Sequence, residues 1–298
     1  MIRLPRFLVY TLFLCLLPFS SAHAQLRLIL STDKSSFQLG EPLVVNVELK
    51  NESSRPMKVV KYLAPDYQFT TYEVTKPGGE QIPYRSLTIL NVRQDLYTTL
   101  GPGESLFERA KIFFGNKGWV FDEPGTYKAT ATHTALEGNH IRSNELALEI
   151  KSPPDEAHRR ATELMLTGQA GIFLLWEGGD QFSEGISNLE KVVRQLSETV
   201  HATYANYALG ANLSQDQGER KADLEKATTY LERARMLSEE KIPTDYLRSR
   251  ILLQLSDIYG KTGERKKQEE IRRMFRREFQ KKKQFQKEMR VIEENSSR

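Results

Sequence analysis

The sequence predicts a chain of two unlike parts, an all-β half followed by an all-α half. Two observations carry the prediction. Residues 26–151 alternate apolar and polar side chains with period two, broken by turn residues roughly every eight to fifteen positions, whereas beyond residue 155 the apolar spacing changes to three and four. Between the two patterns, Lys151-Ser152-Pro153-Pro154-Asp155 stops a strand with two prolines and offers Asp155 as a helix cap.

Ahead of the first strand lies a different signal. Arg3 and Arg6 precede an apolar run from Phe7 to Leu17; Pro18 and Ser20-Ser21 break it, and Ala22-His23-Ala24 places small residues where a signal peptidase cuts. The run is about half of the ~20 residues that a permanent membrane helix needs. A cleaved signal peptide over residues 1–24 is therefore expected in preference to an anchor, with a mature chain from Gln25 in the periplasm or outside the cell. Cys15, the sole cysteine, falls inside this leader. Leu12-Phe13-Leu14 before it are too large for a lipidation signal, so the mature chain is expected to hold no thiol, disulfide or cysteine-bound metal.

In the β half, Leu26, Leu28 and Leu30 form one inward row. After the Leu39-Gly40-Glu41-Pro42 turn, Leu43, Val45, Val47 and Leu49 form the next. A one-residue slip would put each set in water, so the register is well specified. Asn51–Pro56 is a polar turn. Met57–Leu63 and Phe69–Thr75 read as strands, with Lys76-Pro77-Gly78-Gly79 as a hairpin tip. Gly101-Pro102-Gly103-Glu104 opens a strand from Leu106 to Phe114, and Ser143–Ile150 closes the sheet. In Phe121-Asp122-Glu123-Pro124-Gly125-Thr126-Tyr127 a Pro-Gly turn feeds a strand with Tyr127, Ala129 and Ala131 inward, placed like the tyrosine corner of immunoglobulin-type domains. Seven or eight short strands in this length predict an Ig-like β-sandwich over residues 25–152.

The strings Val47–Pro56, Gly101–Ser105 and Pro124–Tyr127 resemble the bacterial intracellular proteinase inhibitor family and macroglobulin-type Ig-like modules over roughly residues 30–135. The resemblance implies the sandwich fold, and it implies protease inhibition only through turn chemistry that many sandwiches share. The leader and the helical extension depart from that family.

The α half carries four amphipathic stripes: Ile186, Leu189, Val192, Val193 and Leu196; then Ala205, Ala208, Leu209, Ala211 and Leu213; then Leu224, Ala227, Leu231, Ala234 and Leu237; then Leu247, Ile251, Leu252, Leu255, Ile258 and Tyr259. Tyr207-Ala208-Leu209-Gly210 with Leu213, followed by Ala227, Leu231 and Ala234, resembles a tetratricopeptide repeat. A second copy runs through Leu252, Leu255-Ser256, Tyr259 and Gly263, and Gly185, Leu189 and Val192 suggest a worn first one. The 42- and 41-residue intervals from Gly185 to Ala227 to Gln268 exceed the ~34 residues of that family's unit. A helical hairpin-repeat (tetratricopeptide-like) domain over residues 155–263 is expected, with a plain bundle as the alternative.

Residues 264–290 hold twelve Lys/Arg against five Asp/Glu, while residues 25–263 hold 28 against 32, so the net charge of +4 arises at the C-terminus. Ile271, Phe275, Phe279, Phe285 and Met289 recur there at near-helical spacing, which predicts a basic amphipathic helix over 264–291. It is expected to cap the repeats; the second reading is weak contact with an anionic membrane. Nucleic acid is not an expected partner of an exported chain.

Candidate chemistry is sparse. His133, Glu137 and His140 are close in sequence but spaced as a polar hairpin loop, and no metal site or cofactor is expected from them. No Gly-x-Ser-x-Gly elbow and no phosphate loop occurs, so an enzyme is not expected. If Leu209-Gly210 and Leu255-Ser256 are equivalent, the concave surface is formed by Tyr204, Tyr207, Arg250, Asp257 and Lys261, which become the candidate partner-binding residues. The expected function is an exported, non-catalytic binding or scaffold protein with an unidentified protein partner in the cell envelope. The alternatives are a protease inhibitor acting through residues 87–100 and a hydrolase with an unrecognised site.

Overall fold

The computed structural model describes residues 26–92, 95–240 and 244–294. The expected leader and Gln25 lie outside the described residues. Among those described, no helix is long and apolar enough to cross a membrane.

The chain is mixed: sheets first, helices after. Strands β1 (Leu26–Ser31), β2 (Ser36–Gln38), β3 (Val44–Asn51), β4 (Met57–Val60), β5 (Thr70–Thr75), β6 (Gln81–Tyr84) and β7 (Tyr97–Leu100) are followed by β8 (Ser105–Lys111), β9 (Phe114–Gly115), β10 (Gly118–Trp119), β11 (Gly125–Thr134), β12 (His140–Arg142) and β13 (Leu146–Lys151). One sheet has the order β1-β3-β8 and another β2-β13-β11-β5-β6, with β12 beside β11. β4 pairs with β7, and β9 with β10.

The period-two rows land inward. Leu28, Leu30, Val45, Val47 and Leu49 from the first sheet share one core with Tyr72, Val74, Tyr127, Ala129, Ala131 and Leu148 from the second. The Tyr127 hydroxyl donates to the Glu123 carbonyl at 3.0 Å and accepts from the Glu123 N–H at 3.2 Å, pinning the turn before its strand. One strand is shorter than its apolar run predicts. β8 stops at Lys111, and Phe114 turns away to pair with Trp119 in β9–β10.

That departure joins the two halves. A methyl group at Gly171 would stand 2.3 Å from the Phe114 ring, so glycine is what lets a helix lie against β9. The Trp119 indole donates to the Thr167 carbonyl at 3.3 Å. The apolar core is continuous across the Lys151–Asp155 boundary, which marks a change of secondary structure and not a gap in packing.

The helices are α1 (Glu156–Met165), α2 (Gly168–Trp176), α3 (Ser183–Gln195), α4 (Val200–Leu213), α5 (Leu224–Glu240), α6 (Asp245–Lys261), α7 (Arg265–Phe279) and α8 (Gln286–Glu294). Asp155 caps α1 through the His158 N–H at 2.8 Å. A methyl group at Gly210 on α4 would lie 2.7 Å from Leu231 and 3.1 Å from the Ala227 carbonyl on α5. Ser256 on α6 faces α7. There its carbonyl accepts from Gln268 at 3.1 Å and its hydroxyl from Arg272 at 3.3 Å.

The basic C-terminal stretch is two helices instead of the single helix expected. Phe279 and Phe285 close on each other with ring centroids 4.4 Å apart, which turns the chain between α7 and α8. Ile271, Phe275, Phe279, Phe285 and Met289 are all buried inside the protein, so this apolar stripe is not exposed for a membrane surface.

The expected solvated loop around His133 is also corrected. His133 lies in β11 opposite Ile141, on the inward face, whereas His140 pairs with Thr134 on the outward face. The alternation of a strand therefore keeps the two imidazoles apart. His133 is fully buried; its Nδ1 meets the Thr70 hydroxyl at 2.9 Å and its Nε2 has no partner. Burial pulls its pKa down to about 4. A folded-state pKa below the unfolded value of ~6.5 contributes stability that is complete above pH 6.5 and is lost as pH falls toward 4. Chemical denaturation between pH 7 and pH 4 should show a loss on the order of 2–3 kcal/mol from this residue. His133→Leu should flatten the profile by that share, and an unchanged profile would mean that the charged ring is tolerated in place.

Candidate functional site

α4 is buried on nearly every side, from Val200 to Asn212, and carries no charged side chain. It runs through the centre of the molecule, so its tyrosines are interior anchors. Tyr204 is 5% and Tyr207 4% exposed. This corrects their placement on an open concave surface: a helix enclosed by its neighbours has no face left for a partner. The Tyr204 hydroxyl donates to Glu41 Oε1 at 2.7 Å, and Glu41 also takes the Gln38 N–H at 3.0 Å and pairs with Lys34. One turn earlier, His201 Nε2 donates to the Leu39 carbonyl at 2.8 Å. The Leu39-Gly40-Glu41 turn of the β half is thereby bolted to α4.

Tyr207 belongs to a second cluster, centred on Glu177. This residue ends α2 in the left-handed conformation at φ 58°, with Gly178 and Gly179 following at φ 154° and 122°. The left-handed turn, which costs on the order of 1–2 kcal/mol, carries the carboxylate inward. Four donors converge on it. Lys111 at 2.6 Å and Tyr246 at 2.9 Å reach Oε1, and Tyr207 at 2.6 Å and Arg250 at 2.8 Å reach Oε2. Arg250 Nε also donates to the Tyr207 oxygen at 3.1 Å. Burial alone would push the Glu177 carboxyl up, but the Lys111 and Arg250 charges outweigh it and hold the group well below the usual carboxylate range. An ionised carboxylate whose oxygens each accept two donors makes a poor proton acceptor, and its chemistry here is to tie β8, α2, α4 and α6 together.

Arg250 of this cluster also reaches the surface. With Gln254, Asp257 and Lys261 it forms a row at spacings of four, three and four on one face of α6. The row lines a groove of about 730 Å³, walled across from it by Lys287, Glu288 and Ile292 of α8. Asp257 and Lys261 are paired at 2.7 Å on the surface. Glu288 is held by Arg109 of β8, whose guanidinium lies 4.1 Å over the Phe285 ring, so this wall is fixed from the β half. The structure thus brings Arg250, Asp257 and Lys261 together on one groove, and buries Tyr207 against Arg250 and Tyr204 against Glu41.

Sequence reasoning missed Glu41, Lys111, Glu177 and Tyr246. One signal for Glu177 was available. The α2 sequence holds a single polar side chain, Gln169, and is followed at once by Glu-Gly-Gly, which puts a carboxylate at the end of a mostly buried helix. Among the described residues, no group of three or more His, Cys, Asp or Glu side chains is arranged to hold a metal ion.

No protein-family model and no curated protein sequence matches the chain. Among solved structures it is similar to the alkylpurine DNA glycosylase AlkC of Pseudomonas fluorescens bound to DNA, at 14% identity and TM-score 0.25, over 44% of this chain and 31% of that one. It is similar to the sporulation control protein Spo0M of Bacillus subtilis at 11% identity and TM-score 0.27, over 47% and 54% of the two chains. A β-glucosidase from Listeria innocua matches at 17% identity and TM-score 0.24, over 42% of this chain and 16% of that one. At these values the likenesses carry no argument about fold or activity.

The Glu177 cluster yields a graded prediction. Glu177→Ala leaves the Lys111 and Arg250 charges facing each other in a buried site and should cost roughly 3–5 kcal/mol. Tyr207→Phe removes one hydroxyl from the same carboxylate and should cost about 1–2 kcal/mol. Urea denaturation of the two variants checks this, and equal, near-zero losses would show that the halves are held together elsewhere.

Proposed function

We propose that this chain is an exported, non-catalytic binding or scaffold protein of the cell envelope, and that the groove between α6 and α8 holds a segment of a protein partner. The observation that carries this reading is the row Arg250, Gln254, Asp257 and Lys261 facing Lys287 and Glu288 across about 730 Å³. Along α6 the row extends roughly 16 Å, room for about five residues of extended chain. Its lining includes the cations Arg250, Lys261, Arg272 and Lys287 and the acids Asp257 and Glu288; Arg250 is paired with Glu177 and Lys261 with Asp257, and Lys287 stands exposed at the rim. Charge complementarity then favours an acidic segment.

Two finer readings of architecture belong with this proposal. An Ig-like sandwich in the β half is supported by the two sheets sharing one core and by the Tyr127 corner. Tetratricopeptide-like hairpins are supported by the recurrence of the Gly210 contact at Ser256, with Gln268 and Arg272 where Ala227 and Leu231 stand.

A second reading rests on a separate observation. Leu87, Ile89 and Leu90 are large apolar side chains exposed within four positions of one another, and Ile89 is 67% exposed. The segment is anchored by the Leu90 N–H on the Asp66 carbonyl at 2.9 Å and by the Trp176 indole on Thr88 at 3.2 Å. An anchored, protruding apolar loop suits the cleft of a protease, as the inhibitor resemblance implies.

Capture of envelope proteins by the intact chain, compared with Lys261→Glu and Lys287→Glu variants, tests the groove. Both changes lie on partly exposed positions and should leave stability within ~0.5 kcal/mol. Each should weaken capture of an acidic-segment partner several-fold, and undiminished capture by both would remove the groove from consideration. For the inhibitor reading, micromolar chain should slow a serine protease of apolar specificity, and Ile89→Asp should abolish the effect. No slowing of any such protease would discard it.

A further inference from the structure

At the pole of the β half away from the helices lies a second cavity, of about 590 Å³. β3 begins at Val44 beside Lys111 and ends at Asn51 beside Leu26, so the rise of the strand separates this pole from the Glu177 cluster by roughly 20–25 Å. The floor is apolar, built from buried Leu26 of β1 and half-buried Met57 of β4 and Ile141 of β12. The rim carries Arg27, Lys58 and Arg142, and no carboxylate lines the cavity among the described side chains. Arg27 meets Glu52 only at 3.5 Å across an exposed surface. Lys58 lies 4.6 Å above the Tyr97 ring, and among the described residues neither it nor Arg142 has a carboxylate partner.

An apolar floor below a mouth whose described charged side chains are all cations sorts ligands in two ways. The floor favours an aliphatic chain or ring that leaves water. The rim favours an anion, and guanidinium groups match a carboxylate by paired donors. The volume falls in the range of about 300–1,000 Å³ that small-molecule sites occupy. We propose that this cavity binds a small amphipathic anion, an alkyl or aryl carboxylate, at a site independent of the α6–α8 groove.

The test uses the full chain and 8-anilinonaphthalene-1-sulfonate, a fluorescent anion of this chemistry, displaced by decanoate. One saturable site is expected, emptied by decanoate and not by decyltrimethylammonium at the same concentration. Affinity should fall at least tenfold in the double variant Lys58→Glu, Arg142→Glu, and should fall as salt is raised. Lys261→Glu, in the groove, should leave dye binding unchanged, so the two sites are judged separately. If the double variant does not fold, Arg142→Gln replaces it, with a several-fold loss expected. Equal displacement by the cationic chain, or parental affinity in the charge variants, overturns the proposal. So does adsorption to phosphatidylglycerol vesicles with no displacement by monomeric decanoate.

Discussion

The arrangement of this molecule depends on one carboxylate. Glu177 receives Lys111 from the sheet side and Arg250, Tyr207 and Tyr246 from the helices, so the Lys111 bond ties the β half to a site the helices build, and a shift of one half against the other by more than an ångström or two breaks it. Burying a charge is costly unless it is paired and its lone pairs are filled, and here both conditions are met at once. The left-handed backbone at Glu177 is a local strain that the surrounding contacts hold in place. Gly179 donates to Asn212 at 2.9 Å, and Asn212 in turn donates to Asp180 at 3.0 Å, so the loop that carries the carboxylate is clamped to the end of α4.

A second clamp repeats the design around Glu41, and a third closes the chain on itself. Arg109 of β8 holds Glu288 of α8 and donates to the Gln284 carbonyl at 3.2 Å, so the C-terminal helix is set by the sheet as well as by α7. The basic stretch therefore has two sides with different tasks. Its phenylalanines pack on one another in the core, and several of its charges line the groove or face solvent. Polar contacts of this kind fix position more than they add stability, because each charge leaves water to make them.

Much of the fold was legible in local pattern. Alternation set the inward rows of β1, β3, β11 and β13, because a strand's side-chain period is two whatever it packs against. Pro153, Pro154 and Asp155 marked the change to helix through backbone chemistry that acts within a few residues. The site was half legible. Arg250, Asp257 and Lys261 share a face of α6 by spacing alone, which is a property of any helix. Tyr204 and Tyr207 share a face of α4 by the same rule, yet that face is closed by Glu41 and Glu177, 163 and 30 residues away respectively.

The sequence by itself determined the change from sheet to helix at Pro153-Pro154-Asp155 and the inward sides of β1, β3, β11 and β13. Only the tertiary structure decided which of those sides meet. Period and propensity act over a few residues, whereas the burial of Tyr207, the pairing of Lys111 with Glu177 and the fold-back of α8 onto β8 depend on chain segments brought together from 30 to 179 positions apart. The clearest early sign of that outcome was a helix with no charge from Val200 to Leu213. Such a helix must be enclosed, but what encloses it is settled by shape and charge at a distance.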